Sequence, residues 1–408
     1  MNGSTTLRRL TSPLALVTLA LVLRFAFVLS MGNRFYFADT AEYEEAALRV
    51  LAGHAPGDSS PRAPLFPIEM ALGFLVGGRH NFFAVRMLQL GLAAALSLLG
   101  MRLATRLGGR AAGAITGVAL AFAPTLVFTT GMLYPTMLYA TLLMVAVSAA
   151  IAANDAPSAR HGAGMGAALS LAYLTDPVAI APALALFGWL VAGVRGNRRL
   201  FGTLAAAVLT ALVVLGPYVA WRKAAYGNKA VFMQKAQYVL HYSRTDSLLA
   251  EGRRVQLPKG TPYTPLATGA FVKQELRILR EQPAAYLHDV SGEFVHFFKA
   301  MPDRIQTQNQ YNRGPVLLLG AVYFVPVLLF SIVGLLFGAS PARKRWALAV
   351  LVLATAFLYS LFFTQTRYRI PVEPMMIVLA ALGVVRMFPA LGRAFADDEA
   401  GTSGTPRA

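Results

Sequence analysis

The sequence predicts an all-α integral membrane protein of about ten transmembrane helices, and three observations carry that expectation. Hydrophobic residues make up 56% of the 408 residues and charged residues only 14%, against roughly a quarter charged in a soluble domain. Several apolar runs reach the ~20 residues needed to cross hydrocarbon. Short arginine-rich loops alternate along the chain with loops poor in basic residues, as the cytoplasmic bias of lysine and arginine requires. That bias also accounts for the net charge of +18 without a nucleic-acid partner. The absence of cysteine excludes disulfides, thiolate metal sites and a cysteine nucleophile.

Taken in order, Arg8 and Arg9 precede an apolar run from Pro13 to Met31. It exceeds the ~7–15-residue core of a cleaved signal peptide, and bulky Arg34-Phe35-Tyr36-Phe37 follows it, so it reads as a retained first span. The second span covers about 82–101 and is followed by Arg102, Arg106 and Arg110. The third covers 111–129, and a Gly131–Tyr134 turn leads into a fourth that ends near Ala153. Residues 163–194 are too long for one span. Pro177 disfavours helical geometry at Asp176, which splits them into two short helices. Arg195, Arg198 and Arg199 precede a seventh span over 201–221; three more cover 315–338, 346–363 and 371–388.

With both termini cytoplasmic, every arginine-rich short loop falls inside. Asp39, Asp176, Arg367-Tyr368-Arg369 and a long polar insertion over 222–313 all fall outside. The expected organisation is a transmembrane module over 1–221 with a first outer loop at 32–80, then the insertion. C-terminal spans over 314–394 and a disordered polar tail over 395–408 complete it. Within the insertion, Phe271, Leu276 and Leu279 recur at helical spacing over Thr268–Glu281. Pro283 marks a second helix start, since proline is tolerated in a first turn. Such a segment folds over the outer face as a cap.

Asp39 followed by Glu42 is a capping-box-like helix start. The helix runs to about Leu51, before Gly53, with Tyr43, Ala46, Ala47 and Val50 on its less polar face. That pattern describes an amphipathic helix lying along the interface. Asp39 is therefore a cap, a general base facing a cleft, or both. Arg62, ahead of the Pro64–Pro67 bracket, pairs with Asp39, holds a phosphate or sits as an interfacial arginine. Arg367 and Arg369 share a short outer loop where basic residues are scarce. Guanidinium groups bind phosphate bidentately, so they are candidates for a lipid phosphate, with headgroup anchoring as the alternative. Glu42, Tyr43, Asp176, Tyr368, Lys229 and Lys235 are candidates for lining a substrate groove. Arg24, inside the first span, is functional by default or snorkels outward. The histidines lack metal-ligand spacing.

These residues resemble the GT-C superfamily of polyprenyl-phosphate-sugar-dependent glycosyltransferases, in particular protein O-mannosyltransferases and lipid A aminoarabinose transferases. The resemblance rests on the Asp39–Gly53 run, on Arg62-Ala-Pro64-Leu-Phe-Pro67, on Leu171–Pro177 and on Arg367–Pro374. It implies a GT-C-like fold spanning residues 13 to about 388 in a bacterial cytoplasmic membrane. Asp39 corresponds to the family's first-loop catalytic aspartate, and Arg62, Arg367 and Arg369 lie near a donor phosphate. The donor is a polyprenyl-phosphate-linked sugar bound from the outer leaflet, and the acceptor a glycan, lipid or protein. Two departures stand out. Asp176 occupies a position where many relatives carry arginine. Tyr134-Pro135 replaces a carboxylate common at the start of the fourth span, which leaves a divalent metal open. A flippase of lipid-linked sugars and a non-catalytic subunit of an envelope assembly are the competing readings.

Overall fold

A computed structural model describes residues 11–35, 39–55, 62–226, 234–245, 252–258, 260–264, 266–301, 303 and 314–400. Helix α1 (Pro13–Met31) opens on Ser12, whose side chain accepts the Ala15 N–H at 3.2 Å. Proline in the first turn costs no hydrogen bond there. After α1, α2 (Asp39–Leu51) lies against α3 (Leu65–Gly77). The less polar face of α2 supplies Tyr43 and Ala47 to a small core with Phe66, Met70, Phe74 and Val85.

Helix α4 (Phe82–Phe122) has 41 residues, which as a straight rod would be about 60 Å long. It instead folds back at Gly108-Gly109, where Gly109 takes φ of 78°, a left-handed conformation open to glycine. Met101 and Thr105 then face Gly113 and Gly117 across an antiparallel hairpin, which occupies the place of the second and third expected spans. The third was expected to continue to 129. It ends at Phe122, because Pro124 lacks the N–H a continuing helix needs, and a short α5 (Pro124–Gly131) follows.

After α6 (Thr136–Asp155) and α7 (Ala159–Thr175), a single 3₁₀ turn (Pro177–Ala179) leads into α8 (Ile180–Val194). The helix break falls at Asp176-Pro177, as the proline requires, with Asp176 accepting the Val178 N–H at 3.0 Å. Helix α9 (Leu200–Tyr226) precedes the insertion, which holds α10 (Gln234–Thr245), α11 (Thr268–Glu281) and α12 (Pro283–Phe297). The remaining elements are α13 (Gly314–Phe337), α14 (Ala342–Ser360), a 3₁₀ segment (Thr366–Val372), α15 (Glu373–Met387) and α16 (Pro389–Ala400). Helix α16 thus runs past residue 395, where a disordered tail was expected to begin. Residues 401–408 lie outside the described residues.

Among the described residues no strand occurs, and seven helical segments are long and apolar enough to cross a membrane. The chain is an all-α, multi-pass membrane protein. The 3₁₀ segment and α15 form its most buried span. α15 packs most closely on α13, where Gly334 and Gly383 each lie against a backbone carbonyl of the other helix. Small residues at such crossings let membrane helices approach backbone to backbone.

Candidate functional site

Helices α2 and α3, the 132–135 turn after α5, the Asp176 break and the 3₁₀ segment converge at one end of the bundle. Asp39, Glu42 and Tyr43 share a face of α2 because residues three and four apart are helical neighbours. All three meet one guanidinium. Arg62 Nη2 lies 3.1 Å from Asp39 Oδ1, its Nε donates to Glu42 Oε2 at 2.6 Å, and its Nη1 donates to the Tyr43 hydroxyl at 3.3 Å. Burial alone would lower the Arg62 pKa. The charges and hydrogen bonds of Tyr43, Glu42 and Asp39 outweigh it and hold the group above its ordinary value.

The second oxygen of Asp39 accepts the Tyr134 hydroxyl at 2.7 Å. Tyr134 is held from behind by the α4 hairpin. Gln89 Nε2 donates to its carbonyl at 3.1 Å, and buried Arg86 donates to Gly131 O at 2.7 Å and Gly32 O at 2.5 Å. A third donor from Arg86 reaches Arg34 O, so one side chain ties together the ends of α1 and α5. Burial raises the pKa of both tyrosines, Tyr43 to about 12 and Tyr134 further, so both hydroxyls stay protonated, Tyr134 donating to Asp39 and Tyr43 accepting from Arg62. The Asp39 side chain remains 34% exposed, which leaves the carboxylate open to the cleft.

Arg367 enters from the opposite wall. Its guanidinium carbon sits 5.9 Å from the Tyr134 ring centroid and 5.4 Å from that of Tyr368. Its Nε is buried with no hydrogen-bond partner, and it lies within electrostatic reach of Asp39. Tyr368 stacks on Tyr359 at 4.4 Å and 10°. Asp176 completes the floor: half-buried, it faces the Tyr359 hydroxyl at 3.5 Å and feels the charge of Arg62. Burial raises its pKa.

Asp39, Glu42, Tyr43, Arg62, Asp176, Arg367 and Tyr368 therefore come together. Arg369 does not. It is 1% exposed, donates to the carbonyls of Phe297 (3.1 Å) and Lys299 (2.9 Å), and its guanidinium lies 3.3 Å from the Phe324 ring centroid. At about three residues per 3₁₀ turn, a residue two places on points away from Arg367; Arg369 faces inward and serves as a staple for the end of α12. Arg24 does not snorkel either. Pro124 deprives Leu120 O of its helical partner, and Arg24 Nη2 donates to that carbonyl at 2.7 Å. Lys229 lies outside the described residues, and Lys235 lies in α10. Tyr238, three residues on in α10, is within electrostatic reach of Glu42.

Arg86 and Glu69 were not singled out in the sequence, and Tyr134 was marked only as standing, with Pro135, where many relatives carry a carboxylate. Arg86 carries the same signal as Arg24, a charge inside a membrane-length run. Glu69 interrupts the apolar run of α3; it is 8% exposed with neither oxygen hydrogen-bonded, and burial lifts its pKa to about 8. Among the described residues no group of three or more histidine, aspartate or glutamate side chains is placed to hold a metal ion. Both Asp39 oxygens already face Tyr134 and Arg62. Among the described residues the donor set does not fit a resident divalent cation.

The chain superposes on the crystal structure of ArnT from Cupriavidus metallidurans bound to undecaprenyl phosphate. The TM-score is 0.61 at 18% identity over 95% of this chain. The likeness is one of fold. An oligosaccharyltransferase from Archaeoglobus fulgidus in the apo form matches at a TM-score of 0.55 and 13% identity, again over 95% of the chain. The chain spans 62% of the ArnT structure and 52% of the archaeal enzyme. No protein-family model and no curated protein matches the sequence. The shared fold covers 95% of the chain, and the Asp39 cleft lies beside the segment that follows α1.

Proposed function

We propose that the protein is a glycosyltransferase of the cytoplasmic membrane that moves a sugar from a polyprenyl-phosphate donor to an acceptor hydroxyl on the outer face. The observation that carries this reading is the placement of Asp39 between Arg62 and Arg367, a partly exposed carboxylate flanked by two guanidiniums. Asp39 takes the proton of the acceptor hydroxyl as its oxygen attacks the anomeric carbon. The bond from that carbon to the phosphate oxygen breaks, and the lipid phosphate departs with the electron pair. Arg367, with its unpaired Nε, and Arg62 receive the growing negative charge, as pre-oriented donors do in other group transfers. Tyr134 and Tyr43 orient the Asp39–Arg62 pair through neutral hydroxyls.

Support for a lipid-phosphate donor comes from the GT-C fold and from the undecaprenyl phosphate bound by ArnT. The acceptor is a glycan, lipid or protein of the envelope. α10 is the proposed acceptor-side wall, with Tyr238 within electrostatic reach of Glu42 on α2. In membranes supplied with a polyprenyl-phosphate sugar, Asp39→Asn and Asp39→Ala are expected to lower transfer by ~10²–10⁴-fold, the usual contribution of a positioned base. Wild-type transfer by well-expressed Asp39→Asn protein would remove the base role. Mass spectrometry of envelope glycans from a strain lacking the gene identifies the acceptor.

A further inference from the structure

The loop that delivers Arg367 is fixed from outside the membrane bundle. Glu293, on α12, accepts the Thr364 N–H on Oε2 at 2.6 Å, and its Oε1 pairs with Arg253 at 2.6 Å. Arg253 itself donates to Phe362 O at 2.7 Å. Ten residues beyond Glu293, Asp303 Oδ2 accepts the Thr366 N–H at 2.7 Å and its hydroxyl at 3.1 Å, while Thr366 Oγ1 accepts the Asp303 N–H at 2.8 Å. His296 Nε2 at 2.9 Å and Lys299 Nζ at 3.3 Å hold the other oxygen of Asp303. Burial would raise the Asp303 pKa, but the His296 and Thr366 hydrogen bonds outweigh it and hold the carboxyl below its usual range. Arg369 closes the set by donating to Phe297 O and Lys299 O.

Every backbone anchor named here for residues 362–366 comes from the insertion, and Thr364 and Thr366 are buried under it. Arg367 sits one residue past the last amide so held and two before the Arg369 staple. Its guanidinium has ring neighbours, a hydrogen bond to the adjacent Tyr368 and a buried Nε without a partner, so its direction follows the 366–368 backbone that carries both side chains. Hydrogen bonds to ionised acceptors are about twice as strong as neutral ones and more directional.

We infer that Glu293 and Asp303 are positioning residues for donor binding: the outer insertion, through these two carboxylates, sets the 364–366 backbone and so aims Arg367 at the lipid phosphate. The inference rests on the donor-phosphate reading of Arg367. It makes the insertion part of the donor site as well as a cover over it.

The test is a double-mutant cycle on the full-length protein in detergent or nanodiscs, with a polyprenyl-phosphate sugar as donor. Asp303→Asn and Glu293→Gln are each expected to raise the donor KM about tenfold, the scale of one charged hydrogen bond, with the acceptor KM unchanged. In an Arg367→Ala background the same changes add nothing, because residues acting through one group are not additive. Hydrogen exchange at Thr364 and Thr366 rises in the single variants while exchange in α13 and α15 does not. Additive effects, or equal changes in donor and acceptor KM, would mean a merely structural role and overturn the inference. A raised donor KM in Arg367→Ala with none in Asp303→Asn or Glu293→Gln overturns it while sparing the donor reading. An unchanged donor KM in Arg367→Ala overturns both. Thr366→Val, which removes only the hydroxyl part of the clamp, supplies a milder variant if Asp303→Asn fails to fold and is expected to raise the donor KM less.

Discussion

At Tyr134, one hydroxyl separates packing from chemistry. Its ring lies edge-on to Tyr43 at 5.9 Å, while its oxygen donates to Asp39. Tyr134→Phe keeps the ring and removes the donor. Transfer is expected to fall about tenfold, the worth of a hydrogen bond to a charged group, with thermal stability nearly unchanged; a large loss of stability would assign the hydroxyl to the fold instead. Glu69 offers a different measurement. Burial holds its pKa at about 8, above an unfolded value near 4.3, so the folded state binds the proton more tightly. Its contribution is most favourable below the unfolded pKa and is lost as pH rises towards about 8, by a few kcal/mol at most. Glu69→Gln should therefore unfold at a higher temperature than wild type at pH 8 and at the same temperature at pH 4. A stability gap that does not change between these two pH values would contradict the buried acid. Asp39 and Arg62 were legible in sequence because each sits beside helix punctuation. Tyr134 was marked only as a replaced carboxylate; its own role was not legible, because a tyrosine before a proline carries no chemistry until its neighbour 95 residues away is known.

Helix boundaries follow the same division between local and distant causes. The starts at Pro13, Thr268 and Pro283 and the break at Asp176-Pro177 depend on nearby residues alone, so the sequence announces them. The interruption at Ala123-Pro124 is also a local event, but its consequence is remote. It frees carbonyls on the last turn of α4, and Arg24 on α1 and Tyr323 on α13 donate to Leu120 O (2.7 Å) and Ala119 O (2.9 Å). An intramembrane charge that looked like a functional or snorkelling arginine is thereby a carbonyl partner for a proline break. Arg24→Leu leaves Leu120 O buried without that donor, a loss of roughly 1–3 kcal/mol. It is expected to lower the melting temperature in detergent while leaving the donor KM intact, and a changed donor KM at unchanged stability would place Arg24 in the site. Arg369 teaches the converse. Two arginines in one short loop have the same composition-level signal, yet the 3₁₀ geometry sends only Arg367 to Asp39.

Across the whole molecule the two ends differ in chemistry. One gathers Asp39, Arg62, Asp176 and Arg367. At the other, Asp155 pairs with Arg106 at 2.9 Å and Lys344 at 2.7 Å, and Arg343 donates to Asn154 at 2.9 Å and to Trp189 O at 2.7 Å. The 20-residue helix α6 joins the Tyr134 end to the Asp155 end, a rise of about 30 Å, the thickness of the hydrocarbon. Loop arginines made this division readable in the sequence, because orientation depends on where charge accumulates and needs no tertiary contact. The hold of Glu293 and Asp303 on the Arg367 loop was unreadable, because each carboxylate finds its amide partner more than 60 residues away. Because the chain has no cysteine, the orientation can be tested with single thiols at exposed sites: Glu45→Cys on α2, Arg280→Cys on α11 and Arg198→Cys in the loop before α9. An outer-face site requires a membrane-impermeant maleimide to label the first two in intact spheroplasts and the third only after permeabilisation. Labelling of positions 45 and 280 from opposite faces would separate the insertion from the Asp39 cleft and end the proposed catalytic arrangement. Labelling of position 198 together with position 45 would dissolve the two-ended bundle on which the membrane orientation depends.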